Sequence, residues 1–184
     1  MQDKIVLQIP KRLEGSGEIE FYTGSYNASS FEYAGATFKA NNPLTYNASL
    51  TNTGDAILLC GDVECTLATK CGRCLDDCDI NVKANLEGYF VIDPSAQTAS
   101  ELEGDEFDIL PEDKRINLVP YITSAILLEL PYTVLCDEDC KGICLVCGEN
   151  LNQSNCKCED AQARSEQSHS PGPFAVLEGL RNKS

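Results

Sequence analysis

The chain has 184 residues, 42% of them apolar and 23% charged, which excludes wholesale disorder and leaves room for one buried core with a small appendage. Its 29 acidic against 14 basic residues give a formal charge of −15. That charge excludes the broad basic face of a nucleic-acid binder and suits a solvated acidic protein, or one that docks a basic partner.

In chain order, the N-terminus shows no signal-peptide pattern, because its apolar piece is short and Gln8 interrupts it. No apolar run reaches the ~20 residues of a membrane-spanning helix. Together these predict a cytoplasmic protein, in which the four Asn-x-Ser sequons have no consequence. Ile5, Leu7 and Ile9 alternate and predict a first strand; Gly15-Ser-Gly17 is a turn, Glu18–Tyr22 a further strand and Gly24–Ser30 a polar loop. From 44 to 92 the pattern is β. Leu44–Thr51 alternates, Asn52-Thr-Gly-Asp55 is turn chemistry, and Ala56–Ala68 is a long strand whose parity changes near Gly61, predicting a bulge or break. Cys71-Gly-Arg-Cys74 is a tight corner, and Cys78–Val91 is the cleanest alternation in the chain.

Residues 93–115 are acidic and read as a solvated loop. Asn117–Leu130 predicts a helix with Asn117 as N-cap, Pro120 in the first turn and Pro131 beyond its end. It is apolar over most of its circumference and should pack centrally against the sheet. The fold class is therefore α+β, mainly β: an antiparallel meander or partly open barrel packed on one central helix, with a C-terminal Cys-rich zinc ribbon. The expected divisions are a β-rich core at 1–135, a zinc-binding module at 136–158, a polar linker at 159–172 and a tail at 173–184.

Eleven cysteines are the main anomaly, and nine of them lie in two clusters. A reducing compartment disfavours structural disulfides, so clustered thiols point to metal. Zinc takes four soft ligands at tetrahedral corners, and two cysteines two to four residues apart grip one edge of the tetrahedron. Cys144-Leu-Val-Cys147-Gly148 is one such grip, and Cys156-Lys-Cys158 returns as its partner. Cys71/Cys74 and Cys136/Cys140 remain as a second quartet, which would pin the β corner to the segment after the helix; Cys78 could replace one of the four. Two structural zinc ions are thus expected, with metal binding acting as folding energy. Cys60 and Cys65 read as plain buried thiols.

The rival readings are weaker. A redox dithiol at Cys71-Gly-Arg-Cys74 wants a helix N-terminus within a βαβ unit, and strands flank the motif here. An iron–sulfur cluster could use the same thiolates. A catalytic zinc usually employs histidine, and the single histidine, His169, sits in the polar linker. No phosphate-binding glycine loop, G-x-S-x-G or H-E-x-x-H motif occurs, so no enzyme is expected. Arg73 lies between two candidate ligands and could orient thiolates or contact an anion. Lys141 and Lys157 are surrounded by acids, so direct RNA binding should be weak or absent.

These pieces in order resemble one family: Cys71-Gly-Arg-Cys74-Leu75, Asp108-Ile-Leu-Pro-Glu-Asp-Lys-Arg-Ile-Asn-Leu118, the helix ending in Leu130-Pro131, Cys136-Asp-Glu-Asp-Cys140-Lys-Gly-Ile-Cys144-Leu-Val-Cys147-Gly-Glu-Asn-Leu-Asn152, Cys156-Lys-Cys158 and Pro173-Phe-Ala-Val-Leu177. Roughly residues 44–180 are similar to the YceD family of bacterial and plastid proteins, known for accumulation of large-subunit ribosomal RNA. The chain departs from it at Ser170-Pro-Gly-Pro173, where members commonly carry Asp-Pro-Arg or Asn-Pro. The resemblance implies a non-enzymatic factor for large-subunit rRNA processing, stability or ribosome assembly. Since the charge opposes RNA contact, the expected partner is a basic protein, such as a ribosomal protein or assembly intermediate. The acidic loop and an amphipathic tail presenting Phe174, Leu177 and Leu180 are the expected contact elements. The alternative is a redox or metal-sensing thiol protein.

Overall fold

In a computed structural model of the chain, residues 5–93, 107–154, 156 and 158 are described. The described residues form two compact units, one of residues 5–71, 76–93 and 107–136 and the other of residues 72–75, 137–154, 156 and 158.

The first unit is a strand-rich open sheet with one helix. Its elements are β1 (Val6–Gln8), a 3-10 turn (Lys11–Glu14), β2 (Ile19–Tyr26), β3 (Ser30–Tyr33), β4 (Ala36–Ala40), β5 (Leu44–Asn52), β6 (Ala56–Lys70), β7 (Asp77–Val91), β8 (Asp108–Ile109), β9 (Arg115–Asn117) and α1 (Val119–Glu129). The central strand is β6. Along one edge it pairs with β7 over its whole length, from Ala56↔Val91 to Lys70↔Asp77. Its other edge is shared, β5 pairing from Asn52↔Ile57 to Thr45↔Glu64 and β4 pairing at Leu67 and Ala68. β2 covers β5, β8 runs parallel to β7, and β1 and β9 form a separate two-stranded ribbon.

The long strands form where the alternation is cleanest. Leu44, Tyr46, Ala48 and Leu50 on β5, Ile57, Leu59, Val63 and Leu67 on β6, and Val82, Ala84, Leu86 and Phe90 on β7 point to one face and are buried. Their register lines them up in cross-strand rows, for example Tyr46–Val63–Ala84. The opposite face is polar, with Asn47 donating to Asp62, Thr66 to Asn81, and Lys83 paired with Glu64. The β5–β6 turn is held by Asn52, whose Oδ1 accepts from Gly54 N at 2.7 Å while its Nδ2 donates to the Leu13 carbonyl at 2.8 Å.

Several sequence expectations are corrected. The parity change at Gly61 is not a bulge. Register runs unbroken through Ala48↔Gly61 and Gly61↔Leu86. Gly61 occupies an inward position, where a Cβ would stand 2.1 Å from the Asn47 carbonyl oxygen. Only a residue without a side chain fits there, so the apolar rhythm skips a beat while the strand does not. Cys65 is buried as expected, but Cys60 lies on the outer face and is exposed. The loop expected at Gly24–Ser30 is shorter, because β2 continues to Tyr26 and β3 starts at Ser30. The β3–β4 hairpin and the parallel β8 also depart from a simple meander.

The acidic stretch 93–115 is not all loop, since β8 begins at Asp108 and β9 at Arg115. Asn117 ends β9, and α1 starts at Val119, with Asn117 Oδ1 accepting from Val119 N at 3.2 Å. The asparagine thus turns the chain into the helix from one residue further back than a regular N-cap. α1 packs on β7, where Tyr121 and Phe90 meet edge to face with ring centroids 5.3 Å apart. Burial pushes the Tyr121 phenol up, reinforced by its hydrogen bond to Asp108. The helix is not surrounded: Ile122 and Ile126 are buried, but Leu128 is 85% exposed. Ile126→Ala should therefore cost about 2–5 kcal/mol, and Leu128→Ala about 0.5 kcal/mol at most, as read from urea denaturation midpoints. Among the described residues no helix is long and apolar enough to cross a membrane.

Candidate metal centres

In the second unit, a short hairpin carries the cysteine-rich turn. Ile143 and Asn150 form an antiparallel bridge, and Leu151 N donates to the Gly142 carbonyl at 2.9 Å. Between them the chain reverses over Cys144-Leu-Val-Cys147-Gly148. Cys144 N donates to the Glu149 carbonyl and Gly148 N to the Cys144 carbonyl, both at 2.8 Å. Gly148 has φ +75°, the left-handed conformation that lets the chain turn back after the second cysteine. The turn leaves no interior for Leu145 and Val146, which point outward from its tip and are exposed.

This geometry aims backbone N–H groups at sulfur. Val146 N lies 3.4 Å from Cys144 Sγ, and N–H donation from Cys147 and Val146 brings the Cys144 thiol down to about 6. Cys158 is pushed up to about 12, chiefly by its hydrogen bond to Cys147 and then by burial and the neighbouring thiols. One thiolate forms readily there, but four negative sulfurs need a cation among them.

Eight cysteines gather into two groups of four, Cys144/Cys147/Cys156/Cys158 and Cys71/Cys74/Cys136/Cys140, with all sulfurs of a group within 4.8 Å of one another. Tetrahedral coordination with Zn–S bonds of about 2.3 Å separates sulfurs by about 3.8 Å, so both groups have dimensions compatible with zinc and could hold a metal ion. These are the two quartets expected from spacing. Cys78 is not in either group; it stands on β7 opposite Thr69. Cys71, Cys74, Cys140 and Cys144 are buried, whereas Cys136 and Cys147 are exposed.

Arg73 reaches the backbone at the second cysteine pair, Cys136/Cys140. Its guanidinium donates to the carbonyls of Glu138 at 3.3 Å and Cys140 at 3.1 Å, so it fixes backbone beside a ligand. β6 precedes the Cys71–Cys74 turn and β7 follows it, so neither cysteine stands at a helix N-terminus as a thioredoxin-like dithiol would. One contact lies outside ligand spacing altogether: Asn152 Nδ2 donates to Cys140 Sγ at 3.3 Å. Phe174, Leu177, Leu180 and His169 lie outside the described residues.

The family model for "Large ribosomal RNA subunit accumulation protein YceD" matches residues 59–181. The chain belongs to the YceD family. The region matched by the YceD model starts within β6 and contains all eight clustered cysteines, while β1 to β5 precede it. Among YceD relatives, the chloroplastic Large ribosomal RNA subunit accumulation protein YCED homolog 1 of Arabidopsis thaliana is 39% identical over 85 residues, covering 42% of this chain and 25% of that protein. The maize protein of the same name is 25% identical over 176 residues, covering 79% of this chain and 60% of its own length. An uncharacterized protein of Mycobacterium leprae is 28% identical over 109 residues, covering 59% of this chain and 49% of its own. The chain thus spans between a quarter and three-fifths of these relatives. No solved structure matches.

Proposed function

We propose that this chain is a non-enzymatic factor supporting accumulation of large-subunit ribosomal RNA, that it carries two structural zinc ions, and that it works through contact with a basic protein. The observation that carries the reading is the family match, which spans both cysteine quartets and joins the chain to relatives whose names state that role. Within each quartet, four thiolates would hold one zinc, leaving no open position for substrate. The metal would then contribute folding energy rather than chemistry.

Charge supports the choice of partner. Counting the thiols as neutral, the chain is at −15; two tetrathiolate zinc sites at about −2 each bring it to roughly −19. Such a surface repels RNA and attracts a basic ribosomal protein, which it can hold before that protein meets RNA. The acidic segment and the tail bearing Phe174, Leu177 and Leu180 are the proposed contact elements.

Two measurements test this. Depleting the protein in its host should lower the ratio of large- to small-subunit rRNA. The zinc-loaded chain, mixed with purified large-subunit ribosomal proteins and with rRNA fragments at physiological salt, should retain at least one basic protein and no RNA. Tight binding of rRNA fragments with no ribosomal protein retained overturns the protein-contact reading.

A further inference from the structure

We propose that the side-chain amide of Asn152 couples the two metal sites, so that firm zinc binding by the Cys71 quartet depends on the ordered Cys144 hairpin; this rests on the zinc reading above. Asn152 follows directly from the turn that carries Cys144 and Cys147. Its backbone is placed by the hairpin, through Leu151 N to Gly142 O at 2.9 Å and its own N to Asn150 Oδ1 at 2.9 Å. Its side chain is held from the other end. Oδ1 accepts from Lys141 N at 2.7 Å, which sets the amide orientation, because a backbone N–H needs the oxygen there. The NH2 group is thereby turned to Cys140 Sγ, 3.3 Å away, and Cys140 belongs to the Cys71 quartet. Arg73 holds the carbonyl of the same cysteine at 3.1 Å.

An N–H donor on a ligating sulfur fixes its direction and offsets part of the negative charge of a tetrathiolate site. Outer-shell groups of this kind typically change metal affinity by about 10–100-fold when removed. One residue therefore stands on the hairpin of one quartet and donates to a ligand of the other. Losing zinc from the Cys144 quartet frees the hairpin, withdraws the amide and weakens the second site.

The test uses the full chain, loaded with zinc and challenged with a chelator. Native mass spectrometry counts the ions, and alkylation mapping shows which cysteines are released. Asn152→Asp keeps the acceptor for Lys141 N but cannot donate to sulfur. It should weaken zinc at the Cys71 quartet by about 10–100-fold, giving a one-zinc species alkylated at Cys71, Cys74, Cys136 and Cys140, with the other four protected. That protection also shows that the hairpin is intact. Asn152→Ser, which is too short to reach and adds no charge, should release zinc in the same order. Cys147→Ser should weaken the Cys71 quartet as well as its own. An Asn152→Asp chain that keeps both ions with the wild-type chelator midpoint, or that releases the Cys144 quartet first, overturns the coupling alone. A wild-type chain that takes up no zinc overturns the zinc reading and the coupling with it.

Discussion

Replacing Cys144 or Cys147 by serine is expected to release zinc from the hairpin quartet and unfold that segment, while β5, β6 and β7 keep their pairing. The argument is electrostatic and energetic together. The four sulfurs lie within 4.8 Å of one another, and among the residues from Cys144 to Glu149 none is a buried aliphatic side chain that could hold the turn instead. Structural zinc in small peptide modules supplies about 10–16 kcal/mol of apparent binding energy at pH 7, far more than the few backbone hydrogen bonds of this turn, at about 1 kcal/mol each. The variant should show rapid proteolysis within the hairpin, and its remaining hairpin cysteines should alkylate at the rate of free thiols. A thiol-exchange protein behaves in the opposite way: the single substitution spares the fold and abolishes exchange.

The second large effect is expected at Gly61. It is paired on both edges, with Ala48 and Leu86, inside the ladders that join β6 to β5 and β7. A methyl group would fall 2.1 Å from the Asn47 carbonyl oxygen and 2.9 Å from the Ala48 Cα. These are backbone atoms held by the same ladder, so no side-chain rotation relieves the clash. Gly61→Ala should cost about 3 kcal/mol or more, a fall in Tm of about 6–12 °C for a chain of this size. Gly61→Val should yield no folded protein. Urea denaturation followed by far-UV circular dichroism reads both, and an unchanged midpoint for Gly61→Ala contradicts the packing described here.

The three long strands were legible because each is half buried, so the alternation of Leu44 to Leu50, or of Val82 to Leu86, writes the sheet's two faces directly into the chain. β6 misled at the one position where the inward residue has no side chain. With Gly61 silent, Leu58 and Cys60 on the outer face read as part of the core pattern. β3 and β4 escaped notice because they are only four and five residues long, too short for Phe31 and Tyr33, or for Phe38 between alanines, to show a period. Asn117 suited a helix start, and it does turn the chain into α1, but it serves from the end of a strand.

The cysteine quartets were legible for a different reason. Ligands gripping one edge of a tetrahedron must lie a few residues apart, and that constraint survives in sequence whatever the fold around it. Cys78 satisfied the spacing too, but it stands on β7 opposite Thr69 and is in neither group of four. The Asn152 contact has no such spacing rule. An amide reaching a sulfur twelve residues away depends on the hairpin turn between them, which only the folded backbone shows.

Native mass spectrometry of the full chain, purified under reducing conditions without chelators, tests the central claim most directly. The account predicts a species carrying two zinc ions, with the eight clustered cysteines protected from alkylation and Cys60 alkylated. A metal-free chain in which all eight of those thiols react contradicts it.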